Sequence, residues 1–339
     1  MPSELGTRMR PLVKGPMTTQ HLMRWSAAIE NWHRIHYDRP FAVDHDGLPD
    51  LLVNGSWKQH VLVQLLKDWA GPSGWVAELE FQYRSADLRG DTITAFGETT
   101  GWQEHDDVRV AQCVIGMRNQ RGEHSTTGTA VVVLPGPGVP ARVARTALAG
   151  RQLPAVDPHG RQAGEYVSAG MLTRIGVPGT PVSAPEPVDA GAVRRIAQAI
   201  MDDDPAYYDP ARAADAGFES VVAPPLFPLH IHRRHAGQPD PLRLAIEVPD
   251  SDGAGDVITK HGLPPLDVGL PRLLNGGNQV QVFDLARIGD MLQSTSSISD
   301  LREKAGRSGP MVFVKVDTEY RAVNRGALLL RSRQTYVYR

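Results

Sequence analysis

Hydrophobic positions recur at helical spacing in three stretches of the chain and at strand spacing in eight, and the two kinds come in the same order twice. Thr18 and Thr19 precede residues 20–29, where Leu22, Trp25, Ala28 and Ile29 share one face and predict a helix. After Asn54-Gly55, residues 57–69 carry Val61, Leu62, Leu65, Leu66 and Trp69 at helical period, closed by Gly71-Pro72. So broad an apolar face predicts a buried helix. Strand-like runs follow at 75–83, 91–100, 107–119 and 125–134, separated by turns such as Leu88-Arg89-Gly90-Asp91 and Gln120-Arg121-Gly122-Glu123. A buried helix followed by a meander predicts an α+β unit in which a sheet wraps on a helix.

Residues 135–187 are rich in Pro, Gly and Ala and read as a linker, with one strand predicted near 170–177. The order then returns: a helix at 188–200 and strands at 278–283, 311–320 and 327–338. The helix expected after Pro224-Pro225 is weakly patterned, and 237–269 is a long Pro/Gly/Asp-rich insertion of the kind that is functional or mobile. A short motif repeats with the elements. Glu30-Asn31-Trp32-His33-Arg34-Ile35-His36-Tyr37-Asp38 has a worn counterpart in Met201-Asp202-Asp203-Asp204-Pro205-Ala206-Tyr207-Tyr208-Asp209, with Tyr207 where the first copy has His36. Each copy leads to an apolar segment and a turn, Leu51-Leu52-Val53-Asn54-Gly55 and Val221-Val222-Ala223-Pro224-Pro225. The pattern describes a duplicated domain with one active site kept.

Composition narrows the chemistry. The chain has 339 residues, of which 41% are hydrophobic and 22% charged, enough for two packed cores. Its 36 basic and 38 acidic residues nearly cancel, which argues against a nucleic-acid partner. One cysteine, Cys113, excludes an intrachain disulfide and a cysteine-built zinc site; it lies in a strand-like apolar run and is read as buried and inert. Residues 1–17 are basic without an apolar core, and no run approaches the ~18 residues of a membrane span, so a soluble cytoplasmic protein is expected.

The first motif closely resembles the Phe-Asn-x-His-Arg-Ile-His-Tyr-Asp signature of a subgroup of acyl-thioester dehydratases within the MaoC-like hot-dog hydratase/dehydratase family. The second half resembles the N-terminal domain of type-I-fatty-acid-synthase-like dehydratases, through residues 202–207 and through Leu274-Asn275-Gly276-Gly277-Asn278-Gln279 leading to Ile288-Gly289-Asp290. The resemblance implies a double hot-dog, two antiparallel sheets each wrapped on a central helix. It implies a MaoC-like domain over 1–140 with the catalytic residues, a linker over 141–165, and a degenerate hot-dog over 166–339. Many relatives place the worn domain first; here the order is reversed.

The implied reaction interconverts a 3-hydroxyacyl thioester and a 2-enoyl thioester plus water, carried by CoA or acyl carrier protein, without metal or other cofactor. A homodimer of double hot-dogs or a partner subunit is also implied. Histidine suits the proton transfers because its ordinary pKa, ~6.5, lies near operating pH. His36 is then the general acid/base. Asn31 stands where the common family pattern has an aspartate; an amide cannot ionise but can orient water, which gives a one-base mechanism. Gly55, at the start of the central helix, supplies a backbone N–H for the thioester oxygen. Asn54 replaces a frequent family histidine beside it.

Plainer roles stand beside these. Asn31 could satisfy backbone groups at a helix end. His33 and Arg34 could pair with Asp38 or Asp44, or Arg34 could meet a carrier phosphate, so both are candidate substrate or carrier contacts together with Asn54. Asp202 is read as holding its loop. The run His230-Ile231-His232-Arg233-Arg234-His235 reads as a solvated or CoA-phosphate-facing strand end rather than a metal site. Two other functions compete: a catalytically silent acyl-binding subunit, and a hot-dog thioesterase, whose required carboxylate neither Gln59 nor His60 supplies.

Overall fold

The computed structural model describes residues 6–105, 107–148, 150–306 and 309–339; residues 1–5 of the basic N-terminal stretch lie outside it. The first half contributes strands β1 (Leu12–Lys14), β2 (Trp75–Tyr83), β3 (Ile93–His105), β4 (Val108–Arg118) and β5 (His124–Pro135). The second contributes β6 (Val182–Ser183), β7 (Leu273–Val282), β8 (Leu292–Gly306), β9 (Gly309–Ala322) and β10 (Ala327–Tyr338). They form one antiparallel sheet in the order β1-β3-β4-β5-β2-β7-β10-β9-β8-β6. Each half repeats the same order outward from the centre, so the sheet has a pseudo-twofold at the β2–β7 seam, where Leu79 lies opposite Val280 and Phe81 opposite Asn278. This is the α+β double hot-dog architecture, with its two sheets joined edge to edge.

Among the described residues, eight short or medium helices accompany this sheet: α1 (Thr19–Ile29), α2 (Gly55–Ala70), α3 (Ala141–Thr146), α4 (Ala169–Leu172), α5 (Ala190–Ala199), α6 (Pro210–Asp215), α7 (Pro241–Glu247) and α8 (Val257–Lys260). Helix α2 is the central helix of the first half. Its residues from Trp57 to Leu66 are buried without a break, as expected for a helix covered by a sheet on one side and the other domain on the other. Two indoles tie the halves: Trp57 Nε1 donates to the Ala199 carbonyl at 3.0 Å, and Trp75 Nε1 to that of Val282 at 2.9 Å.

The second half departs from this plan where its sequence is weakly patterned. After Pro224-Pro225 there is a single 3-10 turn, Phe227–His230, in the place of a long helix. The chain then enters the insertion, whose Ile258, Leu263 and Val268 cover part of the second half of the sheet. Near 170–177 the expected strand is absent: Ala169–Leu172 is one helical turn, and Ile175 and Pro178 make only isolated bridges to β8. Beyond α3, the Pro-rich linker is laid across the sheet, its carbonyls at Arg151 and Pro154 held by Arg331 and Arg333 at 2.7 and 2.6 Å. Strand β8 has no counterpart among the expected strands.

Beneath the start of α2, Lys58 pairs with Asp87 at 2.5 Å, and the two side chains are 3% and 0% exposed. Burial pulls the lysine pKa down and the carboxylate opposes that pull. A buried pair broken on one side leaves an uncompensated charge, at a cost of about 3–5 kcal/mol. Lys58→Met is therefore expected to lower unfolding free energy by about that amount in urea titrations, and Lys58→Met combined with Asp87→Leu to recover most of it.

Candidate active site

Two copies of one backbone scaffold hold the two motifs. Glu30 ends α1 and Met201 follows α5, both with φ in the left-handed region, 53° and 55°, which non-glycine residues seldom adopt. The next residue in each copy turns its N–H back to the helix, Asn31 to Ser26 O at 2.9 Å and Asp202 to Ala197 O at 3.0 Å. The following segment is pinned identically: Leu52 N to Ile35 O and Val222 N to Ala206 O, then Val53 N to Asp87 O and Ala223 N to Ala286 O. Duplication is thus written in hydrogen bonds as well as in letters.

In the first copy, His36 closes a 3-10 turn, Arg34–His36, and is 5% exposed. Its Nδ1 lies 2.9 Å from the Leu52 carbonyl. A carbonyl only accepts, so Nδ1 carries the proton and Nε2 is left with a free lone pair. Burial pushes the His36 pKa down to about 3, His33 adding to the effect and the Leu52 bond opposing it. His36 is a neutral imidazole with its basic nitrogen fixed.

Asn31 lies at the head of the same segment, where its Oδ1 accepts the His33 N–H at 3.1 Å. The loop-holding role is real, and it leaves the amide NH₂ as the group free of that task. Asn54 is the N-cap of α2: its Oδ1 accepts from Ser56 N at 2.9 Å and Ser56 Oγ at 2.6 Å. Its Nδ2 is buried and finds no partner among the described residues. Gly55 is the first residue of α2, so its N–H has no intrahelical acceptor. A Cβ at Gly55 would fall 2.9 Å from Cζ of Tyr83, whose hydroxyl donates to the Gly55 carbonyl. Glycine is required there by an aromatic ring packed on the helix start.

His33 and Arg34 turn toward the insertion. Arg34 pairs with Asp38 at 2.8 Å and stacks over Phe41 at 4.1 Å. Its guanidinium also donates to the carbonyls of Pro249 and Ser251 at 2.6 and 3.2 Å, and its backbone N–H to Asp252 O at 2.8 Å. His33 Nε2 stands 3.7 Å from the Asp252 carboxylate. Gly253 approaches so closely that a Cβ would lie 2.2 Å from Trp32 O. Residues 249–253 form a strap latched on the motif.

The worn copy is filled from within. Lys67, near the end of α2, reaches Asp202 at 3.2 Å and Asp204 at 2.8 Å and bonds the Tyr207 hydroxyl. Burial opposes the lysine charge, but Tyr207 and the two carboxylates outweigh it and its pKa is raised. Asp202 also accepts the Asp204 N–H at 3.2 Å, which holds its loop.

The histidine-rich run is not a solvated strand end. His230 is buried in the 3-10 turn, its Nε2 2.9 Å from Nε2 of His60 with the rings stacked at 5.1 Å. Among the described residues no group of three or more His, Cys, Asp or Glu is arranged to hold a metal ion, and no helix is long and apolar enough to cross a membrane. Cys113 is buried, its thiol pushed up to about 12 by burial. Lys67, Tyr83 and Asp252 are absent from the sequence-based site. The helical pattern marks Lys67 only as a polar residue near a helix end, and Asp252 meets His33 across most of the length of the chain.

Comparison with known proteins agrees with this construction. Residues 9–88 match the model of hydroxyacyl-thioester dehydratase type 2, and residues 174–328 that of the FAS1-like dehydratase domain region. A UPF0336 protein of Thermobifida fusca is 30% identical over 124 residues, covering 36% of this chain and 68% of its own. Mesaconyl-C(4)-CoA hydratase of Chloroflexus aurantiacus is 46% identical over 46 residues, 14% of this chain and 16% of its own. A MaoC domain protein structure from the same organism superposes with TM-score 0.64 at 12% identity, covering 99% of this chain and 95% of its own. A Mycobacterium tuberculosis protein described as a double hot-dog gives 0.59 at 12% identity, covering 99% and 96%. The chain belongs to the MaoC-like family of hot-dog enoyl-thioester hydratases and 3-hydroxyacyl-thioester dehydratases, in a tandem form with a worn second half.

Proposed function

We propose that the chain is a hydro-lyase that interconverts 2-enoyl and 3-hydroxyacyl thioesters with His36 as its single base. The observation that carries this reading is the His36 Nδ1 bond to Leu52 O, which leaves Nε2 unprotonated in a buried site. In hydration, Nε2 takes a proton from water as the water oxygen bonds to C3 of the enoyl group. The electron pair moves to the thioester oxygen, which meets the Gly55 N–H and the unpartnered Asn54 Nδ2 at the positive end of α2. The imidazolium then returns its proton to C2. Dehydration is the same sequence in reverse. Asn31 orients the water through its NH₂ group.

In this reading the second half contributes no chemistry, because Tyr207 replaces the histidine and Lys67 occupies the space beside it. The acyl chain extends beneath the second half, where only one turn stands for a helix, and the strap at 249–253 closes over it. On α2, Gln59 faces Asn278 at 3.4 Å and His60 is committed to His230, which disfavours a thioesterase base at either position. A carrier phosphate on Arg34 would have to displace the contacts to Asp38 and the strap, so Arg34 is assigned to positioning.

Purified protein is expected to remove the conjugated thioester absorbance of enoyl-CoA substrates. His36→Ala should lower the rate about 10²–10⁴-fold while leaving the protein folded; a rate that survives this change contradicts the assignment. The low pKa of His36 places its protonation well below the ordinary 6.5. The kcat/KM profile should thus stay flat as pH falls through 6.5, because the free enzyme keeps its base neutral. Asn31→Asp puts a carboxylate beside the turn, raises the His36 pKa and should bring the acidic fall to higher pH with turnover retained, whereas Asn31→Ala should lose turnover. Gly253→Ala should lift the strap and alter selectivity among acyl chains; unchanged selectivity would remove the strap from the substrate's path.

A further inference from the structure

The inner faces of the two half-sheets differ along one row, where Gly97, Ile115 and Gly128 stand opposite one another in the first half. Under α2, strands β3 to β5 bury Ala95, Ile115, Met117 and Ala130, with Thr99 and Thr126 as separate hydroxyls on the same face. In the second half, Ser296 on β8, Thr318 on β9 and Ser332 on β10 stand opposite one another in register and make a row of hydroxyls, each 1–2% exposed. Ser296 Oγ and Thr318 Oγ1 are 2.9 Å apart. This row divides the hydrophobic core: Leu292, Tyr320 and Leu330 belong to the main cluster, whereas Ile298, Val314 and Val316 pack in a separate one with the insertion.

Imidazoles roof the row. His261 places Nε2 2.8 Å from the Tyr336 hydroxyl and Nδ1 3.4 Å from Ser296 Oγ. The ring of His232 stands on His261 at 4.9 Å, edge to face. Several groups of the second half are short of partners. Both ring nitrogens of His232, Ser294 Oγ and Asn278 Oδ1 are shut from solvent with no hydrogen bond among the described residues. A buried polar group left unpaired keeps its full desolvation cost, so packing alone does not account for their presence. Ser294 is 1% exposed and its strand neighbour is the inward Tyr320.

The belt adjoins the motif that holds His36. The segment carrying His232 runs along the end of α1, with Arg233 donating to Ala28 O at 3.4 Å and Arg234 N to the Glu30 carboxylate at 3.2 Å, one residue before Asn31. Its roof, His261, follows nine residues after Asp252 of the strap. The groups in the belt are neutral donors and acceptors. The cation beside them is Lys260, whose ammonium is committed to the Ala254 carbonyl.

We propose that this belt binds an uncharged oxygen function, a hydroxyl or keto group, carried on the acyl chain of the thioester beyond the reacting carbons. The inference rests on the hydratase reading only in that the acyl chain enters over the second half. A plain alkyl chain lying there would leave the His232 nitrogens and Ser294 Oγ unpaired beside the row, whereas a hydroxyl supplies one donor and two acceptor sites to them. The substrate class is an oxygenated, medium or long acyl thioester.

The test reads binding rather than turnover. Saturated dodecanoyl-CoA and analogues bearing one hydroxyl at successive carbons along the chain are titrated calorimetrically into the full-length protein. At least one hydroxylated analogue is expected to bind about tenfold tighter than the parent, the effect of one buried hydrogen bond. Ser296→Ala with Thr318→Val removes both members of a bonded pair, and because His261 Nδ1 and the Tyr320 hydroxyl each lose one contact, folding of the variant is verified by urea titration. It should abolish that preference and leave dodecanoyl-CoA affinity unchanged or higher; Tyr336→Phe is a second, independent probe. The proposal is overturned if the parent binds as tightly as every analogue, if the preference persists in the variants, or if no acyl-CoA binds. A hydroxyl preference in binding without any enoyl-CoA hydration would instead sink the hydratase reading and leave the belt standing.

Discussion

Burial of helix α2 between the two halves is the constraint from which the remaining arrangement follows. Its sixteen residues run the length of the first half, and ten in succession are buried. Because the helix is shared, its two ends serve the two motif copies differently. The N-terminal end, capped by Asn54, brings the Gly55 N–H and a positive dipole to the segment just after Leu52, the partner of His36. Near the C-terminal end, Lys67 reaches the worn copy and meets Asp202, Asp204 and Tyr207. One copy receives the positive end of the helix, and the other receives a cation that fills it. In the reading proposed above, a single helix thereby decides which copy works.

The second half lacks an equivalent helix among its described residues, and the consequences spread outward. Without it, the inner face of β8 to β10 needs another cover, and the insertion supplies Ile258, Leu263 and Val268 to one part of that face. The remainder is the row of hydroxyls roofed by His261 and His232. The same insertion continues to Arg34 and His33 through residues 249–252. The missing helix, the insertion and the hydroxyl row thus adjoin one another on this face, beside the proposed acyl path.

Much of this architecture is legible in the residues, and the exceptions have physical causes. Strands β2 and β10 fall where alternation places them, and α2 begins at the glycine that its cap and neighbouring ring require. Strand β8 escapes the pattern because its inward positions include Ser294 and Ser296 between Leu292 and Ile298, so its buried face does not read as apolar. The belt hides its own strand. The expected strand near 170–177 fails for the opposite reason, since apolar residues there pack from a helical turn without joining a ladder. The candidates His36, Asn31, Asn54 and Gly55 can be named from a local motif and its neighbouring turn, because they lie in short continuous segments, and Asn31 and Asn54 bond within two residues of their own positions. The partners that define their surroundings, Leu52 apart, come from distant segments: Tyr83 on Gly55, Asp252 on His33, His230 on His60. No local period carries such contacts.

The proposed base, His36, is neutral, with its Nδ1 proton held by Leu52 and its Nε2 free. Nitrogen-15 NMR of the imidazole side chains reads both facts directly, with His36 assigned by its loss in His36→Ala. The account predicts an Nδ1–H tautomer for His36 that persists unprotonated at about pH 5, well below the ordinary histidine midpoint. A signal from the Nε2–H tautomer, or protonation with a midpoint near the ordinary value of ~6.5, would contradict it.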